Sequence, residues 1–187
     1  GDAFSNQNLR KDPKYVTHGL HAYKGKFYPQ LAKTLFNIAR IEPKQTVLDP
    51  FCGSGTVLLE GYLNGLNAIG FDLNPLAVKI ARAKTTILQL DPRLVDKLLS
   101  RFIKKLDFLP NDDSNLQYFN EYYLDELKSW FAEPVLNKLG WIINEIDQVP
   151  DPIIREFLEI CLSSIVRDIS QQDPKDLRIR RRKEPIE

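Results

Sequence analysis

A chain of 187 residues with 43% hydrophobic and 27% charged side chains is long enough for one domain with a real core and short for two. No apolar run reaches the length of a bilayer span and no charged-then-apolar leader is present, which argues against membrane and secreted classes. Two cysteines outside any C-x-x-C pair, and two histidines without metal-ligand spacing, argue against a disulfide framework and a zinc site and point to a reducing, cytoplasmic compartment. The net charge of +1 conceals basic ends: eight Lys/Arg against three Asp/Glu over residues 1–45, and six against three over residues 175–187. Basic ends around an acidic middle suit a protein that touches nucleic acid with part of its surface, and a solvated basic tail explains them equally well.

Residues 1–17 are polar, with Asp12-Pro13 as a turn signal, and read as an extended lead-in arm. The stretch His18-Gly-Leu-His-Ala-Tyr-Lys-Gly-Lys-Phe-Tyr-Pro-Gln30 mixes aromatic, basic and histidine residues, as a loop against a cofactor or nucleic acid would. Tyr23, Phe27 and Tyr28 equally serve to anchor the next helix in the core. Pro29 suits a helix start, and Leu31, Leu35, Phe36, Ile38 and Ala39 predict an amphipathic helix to about Arg40.

The stretch Thr46-Val-Leu-Asp-Pro-Phe-Cys-Gly-Ser-Gly-Thr-Val-Leu-Leu-Glu60 reads as a short strand, a glycine turn and a helix start. Gly53 and Gly55 permit positive φ and a close ligand approach. Asp49 stands at the carboxyl end of the strand, where open α/β sheets bind ligands. From Thr56, the apolar residues Val57, Leu58, Tyr62, Leu63 and Leu66 keep helical spacing. A second strand, Ala68-Ile-Gly-Phe-Asp72, ends in another acid, and such an acid commonly accepts from ribose hydroxyls. The turn lacks a Gly-Lys-Ser/Thr, so the pattern points to a nucleoside ligand without a polyphosphate. Pro75 opens a further helix with Leu76, Val78, Ile80 and Ala81 apolar and Lys79, Arg82 and Lys84 on its solvated side. Residues 18–90 thus form one α/β unit with parallel strands.

Over residues 91–170 the pattern becomes helical: Pro92 to Leu109, Leu116 to Phe131, Glu133 to Ile146 and Ile153 to Ile169, with a loop at Pro110–Ser114. The aromatic surplus of this part (Tyr118, Phe119, Tyr122, Tyr123, Trp130, Phe131, Trp141) reads first as packing between helices and second as a base-approach surface. Residues 171–187 form a basic tail in which Arg178, Arg180, Arg181, Arg182 and Lys183 are suited to phosphate contact.

Asp49-Pro50-Phe51-Cys52-Gly53-Ser54-Gly55-Thr56 resembles the D-P-F-x-G-S-G-T motif of amino-methyltransferases that use S-adenosylmethionine to modify exocyclic amino groups of cytosine or adenine in DNA. His21, Phe27, Pro29 and Leu31 resemble a longer version of that family's motif X. The resemblance implies an α/β fold: a partial Rossmann-like class I methyltransferase sheet with a helical elaboration after the second strand. It also implies cofactor contacts from Phe27, Asp49, Pro50, Phe51, Gly53, Ser54, Gly55, Thr56, Asp72 and Asn74. Asp49 and Phe51 would serve the methionine end and Asp72 the ribose.

The family's Ser/Asp/Asn-Pro-Pro-Tyr/Phe motif, which holds the amino nitrogen, has no match, because no proline in this sequence is followed by another. The expectation is therefore a cofactor-binding part of a DNA methyltransferase, cytosine-N4 in type, that contributes no catalytic residue by itself and works with DNA and a carboxyl-terminal catalytic part. The tRNA guanine-N2 enzymes share nearly the same turn and stand as the alternative within enzymes. A non-catalytic methyltransferase-like binding module stands as the alternative outside them.

Overall fold

The structure, a computed structural model, describes residues 12–109, 114–173 and 179–182. The chain divides between Thr86 and Ile87 into two units. In the first, Val47 and Leu48 give a short strand β1 (Thr46–Asp49), paired in parallel with β2 (Asn67–Gly70) in the register Thr46–Asn67 to Asp49–Gly70. The connection between them is α2 (Thr56–Leu63), with α1 (Pro29–Ile38) before β1 and α3 (Pro75–Thr86) after β2. A parallel pair joined through a helix is the α/β arrangement that the spacing predicts.

Several boundaries differ from expectation, each for a local reason. Strand β2 ends at Gly70, so Asp72 stands beyond the last strand pair. Helix α2 ends at Leu63: Gly65 takes φ +72°, its N–H reaches Tyr62 O, and Leu66 N–H reaches Gly61 O at 2.9 Å, which is a Schellman ending. Leu66 is buried, but outside the helix. On α1, Pro29, Ala32 and Phe36 are buried whereas Leu31, Leu35 and Ile38 are exposed, so only part of the predicted apolar stripe is covered. Residues 13–19 form a series of turns rather than an extended arm; the lead-in before residue 12 lies outside the described residues.

In the second unit, a 3-10 turn (Ile87–Gln89) leads into α4 (Pro92–Leu106), and a second 3-10 turn (Ser114–Tyr118) precedes α5 (Glu121–Trp130), α6 (Glu133–Asp147) and α7 (Pro152–Ile165). The single helix expected over Leu116 to Phe131 is broken at Asn120, whose side chain accepts from Tyr122 N–H and caps α5. Asp91 and Asp151 cap α4 and α7 in the same way, each followed by proline in the first turn. Ile87, Phe102, Ile146, Ile154 and Leu158 form one core cluster, and Phe131, Leu136 and Leu139 a second. Part of the aromatic surplus is packing, as Phe119 and Trp130 lie against the second cluster; Tyr122 and Tyr123 are exposed.

Helix α7 stops at Ile165, and the chain turns so that Gln172 and Arg181 form an antiparallel bridge. Arg182 donates to the Asp168 and Ser170 carbonyls, and Arg181 stacks 5.0 Å from the centre of the Trp130 ring. Those two arginines are engaged within the unit; Arg178 and Lys183 lie outside the described residues. Among the described residues no helix is long and apolar enough to cross a membrane.

Among the described glycines of the first unit, Gly55 has the closest neighbour to an added Cβ. It takes φ +76°, and a Cβ there would lie 2.6 Å from Ala81 Cβ and 2.9 Å from Ala81 Cα on α3. At Gly65 the nearest atom to such a Cβ is Pro43 Cβ at 3.7 Å, ordinary contact. Gly65→Ala should therefore cost the left-handed penalty alone, about 1–2 kcal/mol. Gly55→Ala adds a backbone collision and should cost at least about 3 kcal/mol in urea unfolding; equal losses at the two sites would contradict this packing.

Candidate functional site

The two strand ends are tied together beyond the sheet. Phe71 N–H donates to Asp49 O at 3.0 Å and Cys52 N–H to Phe71 O at 2.8 Å, so the ladder continues into the turn. Asp49 Oδ1 accepts from Phe51 N–H at 3.1 Å, a local side-chain turn. Gly53, at φ +49°, donates its N–H to Asp72 Oδ2 at 2.8 Å, and Asp72 Oδ1 accepts from Asn74 N–H at 2.8 Å. Asn74 in turn accepts at Oδ1 from Leu76 N–H at 3.0 Å in the first turn of α3. The second-strand acid is thus built into the glycine turn. An ionised carboxylate has acceptor capacity beyond two such bonds.

Beside this turn lies a cavity of about 460 Å³. Phe27, Asp49, Phe51, Gly53, Ser54 and Thr56 line it, with Leu35 and Phe36 of α1 and Val47 of β1 adding apolar wall. Phe27 thus shares a cavity with the glycine turn although it stands 22 positions before Asp49 in sequence. Phe51 is 85% exposed. Pro50, Gly55, Asp72 and Asn74 are outside the lining. Pro50 is exposed, Gly55 is pressed on α3, Asp72 accepts from Gly53 N–H, and Asn74 accepts from Leu76 N–H at the start of α3. Ser54 and Thr56 are buried, so their side chains are largely withdrawn into the unit. The buried Cys52 thiol is pushed up in pKa by burial, then by Asp49 and Asp72, and stays protonated.

Two buried groups were not foreseen. Lys84, expected on the solvated side of α3, is completely buried, and its Nζ donates to Ser54 O at 2.9 Å and to Ser54 Oγ at 3.3 Å. Burial, and then the charge of Lys26, brings its pKa down to about 8. Glu60, also fully buried, accepts at Oε1 from Tyr15 OH and from His18 Nε2 at 2.7 Å, while Lys33 Nζ lies 3.5 Å from Oε2. A lone acid inside the apolar stretch from Val57 to Leu63 was the available signal for this cluster. Lys26 Nζ donates to the His18 and His21 carbonyls and so shapes the loop that leads to Phe27.

Residues 20–98 match the family profile described as RMKL-like, methyltransferase domain. The match spans the segment that carries the turn and both acids. The chain is 30% identical over 181 residues to Type II methyltransferase M.MvaI of Kocuria varians, covering 92% of this chain and 38% of that protein. It is 36% identical over 133 residues to Type II methyltransferase M.MjaII of Methanocaldococcus jannaschii, covering 65% of this chain and 24% of the relative. It is also 36% identical over 136 residues to the tRNA (guanine(10)-N2)-dimethyltransferase of the same organism, covering 70% of this chain and 36% of the relative. The chain thus spans less than two fifths of the length of these curated relatives. No solved structure matches it.

The Glu60 cluster makes a prediction for pH. Burial, ahead of Lys84 and Lys26 and against the pull of Glu60, holds the His18 imidazole below its ordinary pKa of 6.5. As pH falls past 6.5 the unfolded imidazole takes a proton that the folded one resists, so the unfolded state binds more protons and stability falls. Thermal melts from about pH 7.5 down to about 5.5 should show a falling midpoint in the wild type and a flatter profile in His18→Gln. Parallel profiles would contradict a neutral, buried His18.

Proposed function

We propose that this chain is the cofactor-binding part of a methyltransferase that takes its methyl group from S-adenosylmethionine and acts on an exocyclic amino group in DNA, cytosine N4 in type. The observation that carries the reading is the convergence of the glycine turn, Asp49 and Phe27 on one cavity, with Asp72 holding the turn. The cavity volume falls within the range of about 300–1,000 Å³ usual for small-molecule sites. Its composition fits the cofactor: aromatic faces at Phe27 and Phe51, a carboxylate at Asp49 suited to an ammonium group, and a turn backbone free of side chains at Gly53. Asp72, with acceptor capacity remaining, suits ribose hydroxyls. When bound, the cofactor supplies an electrophilic methyl on a sulfonium. The residues of this chain would orient it and shield it from water, which is the placement that methyl transfer depends on.

The group that holds the amino nitrogen would come from a carboxyl-terminal catalytic part of the same enzyme, since no Pro-Pro-aromatic motif stands among these residues. The two-stranded sheet supports that division. Leu48 and Ile69 on its outward face, and Phe71 just beyond it, are 48–61% exposed, whereas parallel strands are ordinarily covered on both faces. The Type II methyltransferase relatives support DNA as the substrate. An RNA amino group is the second reading, carried by the tRNA dimethyltransferase relative.

Calorimetric titration with S-adenosylmethionine tests the proposal. The wild type should bind. Phe51→Ala should weaken binding about tenfold with stability unchanged within about 0.5 kcal/mol, because the ring is exposed. Asp72→Ala should weaken it further, by about 10–100-fold. Absence of binding by a folded wild-type chain would overturn the reading. Competition between duplex DNA oligonucleotides and tRNA for the chain separates the two substrates.

A further inference from the structure

We infer that Lys84 is a positioning residue whose ammonium, acting through Ser54, sets the shape that the glycine turn presents to the cavity. The inference rests on the reading of that cavity as the cofactor site. Helix α3 otherwise buries small or apolar residues: Ala77, Ile80, Ala81 and Ala83. Packing alone would place an apolar side chain at position 84. Burying an ammonium instead is unfavourable unless strong acceptors compensate for its lost hydration. The acceptors here are the Ser54 carbonyl at 2.9 Å and hydroxyl at 3.3 Å.

The peptide between Ser54 and Gly55 is thereby held at both of its polar groups. Its carbonyl accepts from Lys84, and its N–H donates to Cys52 O at 2.8 Å. Ala81, one helical step before Lys84 on the same face of α3, presses on Gly55 and leaves no room for a side chain there. One face of α3 therefore clamps the turn by contact at residue 55 and by hydrogen bonding at residue 54. Release of the carbonyl would let this peptide rotate, moving Gly53 on one side and the start of α2 on the other. The Lys84 main chain is itself tied down, since its carbonyl accepts from Thr17 Oγ1 at 2.9 Å. Replacing Lys84 by an apolar residue removes the cost of the buried charge and leaves the Ser54 carbonyl without that donor, two effects of opposite sign on stability. Cofactor affinity and the resonances of the turn, rather than stability, therefore separate a positioning role from a packing one.

Lys84→Met, in the full chain, separates them. The variant should fold and bind S-adenosylmethionine at least about tenfold more weakly. In the ligand-free protein, the amide resonances of Ser54, Gly55 and Thr56 should shift while those of α1 stay in place. Unchanged affinity and unchanged Gly55 resonances in a folded variant would overturn the inference. A variant that fails to fold moves the test to the wild type with 15N-labelled lysine. There the Lys84 ammonium should show slow proton exchange and a proximity signal to Ser54, and lack of both would overturn it. Should the wild type not bind the cofactor, the cofactor reading fails, and the ligand-free amide comparison still decides whether Lys84 shapes the turn.

Discussion

A carboxylate buried without exposure has to be surrounded by donors, and the first unit is built around meeting that demand at Glu60. Its partners come from outside its own helix: Tyr15 and His18, from the turns before α1, at Oε1, and the Lys33 ammonium of α1 as an ion pair 3.5 Å from Oε2, which accepts no hydrogen bond among the described residues. Because Glu60 sits one turn into α2, a few residues after the glycine turn, satisfying it fixes where the lead-in segment runs. The strain that results is visible in Val16, a β-branched residue at φ +53° held between Tyr15 and Thr17, both of which make long-range hydrogen bonds. Breaking a buried cluster of this kind on one side leaves polar groups without partners, which is far costlier than replacing the whole of it.

The anchored lead-in segment delivers the loop that carries Phe27 to the cavity. Lys26 donates to the carbonyls of His18 and His21, drawing the loop around its own ammonium. From the other side, the extended strand ladder and the Gly53–Asp72 bond set the turn against the residues that follow β2. The site is therefore a meeting of two separately anchored segments, one held by Glu60 and one by the sheet. Neither depends on the side chains that face the cavity, so the exposed Phe51 and the half-buried Asp49 are available to a ligand.

The glycine turn was legible because its chemistry is local: a short strand, two glycines at positive φ and a helix start lie within one stretch of sequence. The parallel pair followed from the helix between the strands. What escaped was burial decided by distant partners. Lys84 has the spacing of a solvated lysine, and only the packing of α3 against the turn shows that its ammonium faces inward. Glu60 has the place of an ordinary helix residue, and its partners come from residues 15, 18 and 33. Helix ends were missed where a single capping group decides them, as at Asn120 and Gly65. Gly55 carried the right conformational meaning, but the space it leaves is filled by Ala81 rather than by a ligand. Ser54 and Thr56 are buried and Asp72 stands outside the lining, so of the predicted contacts Phe27, Phe51, Asp49 and Gly53 are the ones that the cavity presents most openly.

The most direct test of this account is a crystal structure of the chain grown with S-adenosylhomocysteine, read for where the ligand lies. The account predicts density in the cavity between the glycine turn and α1, with the amino-acid end at Asp49, an aromatic contact at Phe27 or Phe51, and the Ser54 carbonyl still on Lys84. Density in the second unit alone, or a glycine turn that rearranges away from Asp72 and Lys84 to admit the ligand, would contradict it.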